Sequence, residues 1–582
     1  LTEKMGYWVD MSDPYVTYEN NYIESVWWLL GQLYEKNMLY KGYTIQPYSP
    51  AAGTGLSSHE LNLPGTYKDV KDTSATALFK VTSSPLQFVS DAADNGSAFF
   101  MAWTTTPWTL PSNTALTVGA KIDYVLVDTF NPYTAEAQKV ILADNLVSKY
   151  FKTEGLEAEM AYSPSDKLLP YRVLASFKGA ELVGSRYEQL LPYAQPMRGA
   201  DNAFQVIAGD FVTTEDGTGI VHTAPTFGAD DMQVAKAAGV PPMLVENETG
   251  DPVPLVDMQG RFVMAVKDDV WGLAGEPVKA EYLSDTDREA AFEKQKVSLK
   301  EHIPNLSNYL SVDERIALKL KLEGKAFKVE KYQHNYPHCW RTDKPILYYP
   351  LDSWFIKASS AREKMIALNN TINWKPESTG TGRFGNWLEN VNDWNLSRSR
   401  YWGTPLPIWR TGPYGPLVEE CVGAINDFTE KNAYYISEEC LDEAGNRFDG
   451  QSLLKYLGEK RLAGENVNNI WNDLIRSRKI KTFASLPEEI IDLHRPMVDF
   501  VIFFRNGLVL ARELDLIDVW FDSGAMPYAQ WHYPFENKEM VDNGLAFPAD
   551  FIAEGVDQTR GWFYTLHAIS SMIKGSVAFK NV

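Results

Sequence analysis

Three consecutive threonines, Thr104, Thr105 and Thr106, stand between Trp103 and Pro107 in WTTTPWTLPSN, a stretch that closes on Asn113. Hydroxyls and an amide can donate to a carbonyl or orient a water, so the residue types suit a small polar pocket. In a regular strand Thr104 and Thr106 would point one way and Thr105 the other, unless the chain bends at Pro107. The same stretch also suits an edge strand ended by Pro107, with threonine present for its β propensity.

Two further groups carry chemistry. In GTGIVHTAPTFGADD, residues 217–231, a strand delivers His222, a turn follows, and Asp230 and Asp231 open a helix, where carboxylates are favoured by the dipole. A core histidine and a capping aspartate fit that pattern equally. In FIAEGVDQTRGW, Glu554 stands at the end of an expected buried parallel strand at 551–553, and Asp557 and Gln558 open a helix expected over 558–573. Open α/β sheets bind ligands at such strand ends; the competing reading is that Asp557 caps the helix. HNYPHCWRTD offers His334, His338 and Cys339 to a metal, but a structural zinc wants four N or S ligands and no Cys-x-x-Cys pair exists, which favours a turn.

The elements that must position these groups differ along the chain. IESVWWLLGQLYEKNML has apolar residues at helical spacing and predicts an amphipathic helix over 22–39. SPAAGTGLSS, 49–58, reads as a crossing between domains. From 67 to 335 short β-branched runs (FFMAWTTT, DYVLVDTF, KVILADN, FQVIAGDFVTT, GIVHTA) alternate with turns and predict a β-rich inserted domain, with helices at 230–238 and 285–303. Beyond 336 the chain is tryptophan-rich. Residues 411–498 read as a separate insertion, and the C-terminal part alternates strand and helix as βα units do.

Composition bounds the reading. A chain of 582 residues exceeds one core, 45% hydrophobic residues supply ample surface to bury, and no apolar run reaches the roughly 20 residues of a membrane span. Three cysteines, Cys339, Cys421 and Cys440, fit a reducing compartment, and cytoplasmic localisation is expected. The net charge of −21 argues against broad nucleic-acid binding, although LSRSRYW and LIRSRKIK could meet phosphate locally. An opening Leu1 and an end at FKNV read as a fragment.

WTTTPWTLPSNTAL, GTGIVHTAPTFGADD, DWNLSRSRYWGTPLPIW, DVWFDSG and AEGVDQTRGWFY, in this order, closely resemble the isoleucyl-tRNA synthetases of class I. The sister valyl and leucyl enzymes typically have Thr-Thr-Arg-Pro where this chain has Thr104-Thr105-Thr106-Pro107. The resemblance implies an α/β fold: an incomplete Rossmann-type class I synthetase core with a large β-rich inserted editing domain. The core would comprise 1–50, 336–410 and 499–582, with a junction at 51–66, the editing domain at 67–335 and a second connective insertion at 411–498. One methylene in an apolar pocket is worth only about 1–3 kcal/mol, and isoleucine against valine in this very family is the standing example, so a second, hydrolytic pocket is needed.

By the same resemblance Thr104, Thr105, Thr106 and Asn113 would surround the ester and terminal ribose, with Trp108 as a wall. Asp231 would hold the aminoacyl ammonium, and His222 would bound the pocket or bind the terminal nucleotide. With no Ser-His-Asp device, hydrolysis would use an oriented water. Glu554, Gly555, Asp557 and Gln558 would contact isoleucine and its adenylate, with Trp520 and Trp562 at the side-chain pocket. The parent would use ATP with Mg2+, isoleucine and tRNA(Ile), edit valine, and act as a monomer away from membranes. Departures are Thr226-Phe227-Gly228 in place of Gly-His-Gly, and the lack of His-Ile-Gly-His and Lys-Met-Ser-Lys-Ser, so no isoleucine activation is expected of this chain. Ser49-Pro50-Ala51-Ala52 and Cys339-Trp340-Arg341-Thr342 stand where some relatives carry zinc-binding pairs, so no zinc is expected. The alternative is a non-catalytic module that binds tRNA acceptor ends or a protein on the same scaffold.

Overall fold

A computed structural model describes residues 2–6, 11–56, 58–61, 63–94, 97–247, 252–487 and 490–582. Leu1, and residues 57 and 62 of the expected junction, lie outside the described residues. The chain forms two compact units, Thr44–Leu351 and Leu1–Tyr43 with Asp352–Val582. The unit boundaries fall inside the strands Leu39–Ser49 and Leu347–Ile356, outside the expected bounds of 67 and 335, because each extended strand runs without a break from one unit into the other.

In Thr44–Leu351 a ten-stranded mixed sheet dominates. Its long strand Tyr67–Ser83 pairs with Ala326–Pro337 along 67–77, with Ala98–Thr104 along 75–80, and with Arg186–Tyr187 at 81–83. From there the order runs through Gln205–Ala208, Ala115–Val118 and Ile220–Thr223 back to Ala98–Thr104, so six strands close on themselves while Ala326–Pro337 and Arg172–Lys178 end the ladder. Alternate residues feed two cores: Ala77, Phe79, Val81, Phe100 and Ala102 enter one, and Leu78 and Met101 enter another. Burial on both faces explains why FFMA reads as a continuous apolar run, each large side chain contributing roughly 1.5–3 kcal/mol. All five β-branched runs named above contain strands. The helices lie at Ala229–Ala237 and Asp285–Ser298, the second capped by Ser284, whose hydroxyl accepts the Asp287 N–H at 3.1 Å.

In the other unit the amphipathic helix is Asn20–Glu35, burying Ile23, Val26, Trp27, Leu30 and Leu33. It stops short of residue 39 because Asn37 takes φ 55°, a left-handed conformation that asparagine tolerates, and the strand Leu39–Ser49 begins. The expected insertion at 411–498 supplies the helices Ile425–Glu430, Gly450–Leu462 and Val467–Arg476, but its six-stranded antiparallel sheet reaches beyond both bounds to Ile408–Arg410 and the hairpin Val501–Arg505/Leu508–Arg512. Asn506 and Gly507, both at positive φ (52° and 78°), make that hairpin's two-residue turn, the Asn-Gly pattern whose twist suits flanking strands.

The expected buried strand at 551–553 is corrected. Phe551 is 68% exposed and residues 551–555 form no strand. Ala549 and Ile552 donate to Ala578 and Asn581 on one side, and the 578–582 segment in turn meets Asn373 in parallel fashion. With a neighbour on one side only, 551–553 cannot be buried as a central strand. The helix after it is a short 3-10 turn, Val556–Arg560, followed by Trp562–Ile573.

Candidate functional site

Two polar loops come together because Ala98–Thr104 and Ile220–Thr223 are parallel neighbours with Trp103 opposite Val221. Both loops therefore leave the sheet from carboxyl ends on the same side. In the first, Thr104 Oγ1 accepts the Thr106 N–H at 3.0 Å and lies 3.3 Å from Thr106 Oγ1. This hydroxyl turn ends the strand and brings Thr104 and Thr106 together, with Thr104 buried and Thr105 and Thr106 half-buried. Pro107 then starts the 3-10 turn Pro107–Ser112, where its missing N–H costs nothing.

Trp108, Asn113 and His222 are buried. Trp108 is 3% exposed, and its ring meets Phe227 of the second loop edge to face at 4.9 Å. Asn113 Oδ1 accepts from the Tyr187 hydroxyl at 2.7 Å, while its amide donates to Ala115 O (2.7 Å) and His222 Nδ1 (2.9 Å). That assignment leaves the proton on His222 Nε2, which donates to Thr109 Oγ1 at 2.9 Å; Thr109 in turn donates to Thr106 O at 2.9 Å. Burial pushes the imidazole down to about 3, so it is neutral. Sequence expectation put all three around the substrate. The structure places them in the packed layer that carries the threonines, with the polar atoms of Asn113 and His222 engaged within the protein.

In the second loop Asp231, at the third position of Ala229–Ala237, reaches back so that Oδ2 accepts the Ala224 N–H at 2.8 Å. Burial raises its carboxyl to about 6 against that hydrogen bond, with Asp230 adding to the rise. Gly228 makes room: a Cβ there would lie 2.8 Å from the Asp231 carboxylate. Asp230 is exposed. The indole N–H of Trp108 and the hydroxyl of Thr226 are buried without a protein hydrogen-bond partner, one on each loop.

The first loop has an anchor that no local sequence pattern reveals. Asp313 Oδ1 accepts the Trp108 N–H at 2.8 Å, and its Oδ2 faces Lys279 Nζ at 3.4 Å, which also meets Asp72 at 3.1 Å. Lys279 is 5% exposed; burial works against its charge, but Asp313, Tyr336 and Asp72 outweigh it and hold it protonated. Asp313, by sequence an ordinary first-turn acid, is 205 residues from Trp108, too far for any local pattern to join them.

Among the C-terminal residues, Gln558 Oε1 accepts the Trp562 N–H at 3.0 Å and its amide donates to Asp557 at 3.1 Å. Trp562 Nε1 donates to Ser523 O at 3.1 Å, and Trp520, 41% exposed, packs where a Cβ on Gly561 would be 3.2 Å away. Trp520, Gln558 and Trp562 are thus brought together, while Glu554, Gly555 and Asp557 are exposed, with Glu554 lining an open cleft of ≈ 710 Å³ beside Phe551 and Trp374. His334 meets Asp72 at 3.2 Å and His338 Nδ1 donates to Tyr336 O at 2.9 Å. Among the described residues no three His, Cys, Asp or Glu side chains gather to hold a metal.

A family model described as tRNA synthetases class I (I, L, M and V) matches residues 1–455 and 467–582. The chain is 57% identical to an isoleucine–tRNA ligase of Cytophaga hutchinsonii, 54% to one of Bacteroides fragilis and 53% to one of Porphyromonas gingivalis. In each case the whole chain is matched, against 46%, 47% and 48% of the relative, so it spans about half the length of the curated relatives it matches. A match of that extent, reached through the threonine loop and its parallel neighbour alike, makes the chain a member of the class I tRNA synthetases of the I, L, M and V group.

Proposed function

We propose that the chain is part of an isoleucine–tRNA ligase and that its 67–335 segment hydrolyses valine esterified to tRNA(Ile). The segment is inserted in a Rossmann-type core made of 1–50, 336–410 and 499–582 less the strands that the antiparallel module of 408–512 takes up, with 51–66 a junction and that module a second insertion in place of 411–498. The observation that supports the reading is the Trp103/Val221 register, by which the threonine loop and the loop leading to Asp231 leave the same end of the sheet.

Thr104, Thr105 and Thr106 donate to the ester carbonyl as negative charge develops on it, a use of fixed donors that favours the transition state over the ester. Asp231 takes the aminoacyl ammonium. At neutral pH it is ionised, and the ammonium draws its pKa back down, so binding and charge support each other. His222 has its two nitrogens tied to Asn113 and Thr109 and faces no serine, which supports attack by water without a covalent intermediate. Water adds to the carbonyl, the ester bond breaks, and free valine and the tRNA hydroxyl leave. Asn113, His222 and Trp108 hold the loop that carries the hydroxyls.

In the parent, Glu554 receives the isoleucine ammonium, and Gly555, Asp557, Gln558, Trp520 and Trp562 complete that subsite. The segments that would hold ATP phosphates and Mg2+ are not among this chain's residues, so no step through ATP is derived. We assign no zinc to the chain, a monomeric state and a cytoplasmic setting; among the described residues no helix is long and apolar enough to cross a membrane.

The test is deacylation of Val-tRNA(Ile) by this chain and its Asp231→Ala variant, with ATP–pyrophosphate exchange on the same preparation. Hydrolysis that disappears in the variant, without exchange, supports the reading. Binding of tRNA with no hydrolysis sinks it in favour of a binding module.

A further inference from the structure

We propose that Asp313, held in place beside buried Lys279, is a positioning residue that sets the height of the threonine loop through the Trp108 N–H. The inference rests on the reading of that loop as the hydrolytic site.

Pro107 has no N–H, so Trp108 supplies the first donor of the turn Pro107–Ser112, and a first-turn donor has no partner within its own helix. Buried and unmet, it would carry the desolvation penalty of a lost hydrogen bond. Asp313 meets it at 2.8 Å from the first turn of Val312–Leu322, an end fixed by a capping box: Glu314 N–H to Ser311 Oγ at 3.2 Å, and Ser311 N–H to Glu314 at 2.8 Å. One turn residue further, Thr109 donates both its N–H (3.0 Å) and its hydroxyl (2.9 Å) to Thr106 O. Displacing Trp108 N therefore drags the Thr106 carbonyl, and with it the paired hydroxyls of Thr104 and Thr106.

The charge cluster joins three elements to this one N–H. Asp72 lies on Tyr67–Ser83, His334 and Tyr336 lie on Ala326–Pro337, and Asp313 lies on the helix, with Lys279 between the two carboxylates and 4.7 Å from the Tyr336 ring centroid. A buried ion cluster is weak evidence for stability, since apolar residues of similar volume often serve as well. Its geometric product here is an acceptor of fixed position aimed at the loop. Hydrogen-bond donors misplaced by a fraction of an ångström lose transition-state stabilisation while the rest of the tRNA still binds, so the effect belongs in kcat.

Asp313→Asn keeps an acceptor for Trp108, and Asp313→Ala removes it. In Val-tRNA(Ile) deacylation, Asp313→Ala is expected to lower kcat by about tenfold to a hundredfold at unchanged KM, with Asp313→Asn recovering most of the loss. Amide hydrogen exchange, which needs no activity, is expected to accelerate over residues 105–112 in the alanine variant while Tyr67–Ser83 stays protected. Wild-type exchange at 105–112, or acceleration spread across the whole sheet, overturns the proposal. If Asp313→Ala does not fold, Asp313→Leu replaces it: the side chain fills the space but offers the Trp108 N–H no acceptor, so unchanged exchange at 105–112 is the overturning result. A wild-type chain without deacylase activity overturns the functional reading, whereas the exchange comparison still decides the role of Asp313.

Discussion

The ring of Trp108 meets that of Phe227 edge to face, with centroids 4.9 Å apart. One residue follows the threonine peptide and the other follows the turn after His222, so this contact joins the two loops at a point where no backbone pairing continues. It is the packing counterpart of the Trp103/Val221 register, and both relationships must hold for hydroxyls and carboxylate to share a site. Disturbing either loop should therefore be felt in the other.

Gly228→Ala tests this most narrowly. Gly228 has φ −135°, which alanine adopts freely, so strain plays no part. The new Cβ would sit 2.8 Å from the Asp231 carboxylate and must push it from the Ala224 N–H. Deacylation is expected to fall about tenfold or more with thermal stability changed by less than about 1 kcal/mol. A wild-type rate would show that the position of Asp231 is unimportant.

Asp231→Asn has a pH signature. The folded-state pKa of Asp231, about 6, lies above its ordinary 3.8, so the stability it confers is fully present below pH 3.8 and lost as pH rises through 6. The asparagine variant has no such loss. Its thermal midpoint relative to wild type should climb between pH 4 and 7 and then level off, and a pH-independent difference would contradict a raised carboxyl.

His222 is neutral across the working range, because burial holds it near 3. The pH–rate profile of deacylation should show no inflection near pH 6.5 that His222→Gln abolishes. His222→Ala, which unlinks Asn113 and Thr109 and leaves a void, should cost roughly 2–4 kcal/mol in denaturant unfolding.

Arg512 is a second buried anchor, in the antiparallel module of 408–512. Its Nε and Nη2 donate to Asp499 Oδ1 at 2.8 and 2.5 Å, and it also reaches the carbonyls of Leu406, Glu513 and Asp515. Arg512→Met leaves the buried Asp499 held by Arg495, whose Nε donates to Oδ2 at 2.7 Å, and urea unfolding should show a loss of about 1–3 kcal/mol. Adding Asp499→Leu should restore part of it, an outcome a purely steric role for Arg512 would not give.

Patterning within a few residues was enough to expect the strands at 98–104, 123–130, 137–143, 205–208 and 220–223 and the helices near 20–35, 229–237 and 285–298, because period and capping chemistry are local properties. The Asn506-Gly507 turn was equally legible and would have revealed that the module runs on to Arg512. What the sequence could not contain was proximity. Whether 551–553 is a buried strand depends on neighbours at both sides, and the fold supplies hydrogen bonds only from 578–581. Whether Asn113 and His222 face a ligand or each other depends on Tyr187 and Thr109, and whether Trp108 is a wall or a keystone depends on Asp313 and Lys279, far away in the chain. Residue types alone mark the side chains able to do such chemistry; closure of the sheet around Tyr67–Ser83 brings their two loops together and ties Asn113 and His222 to partners within the protein.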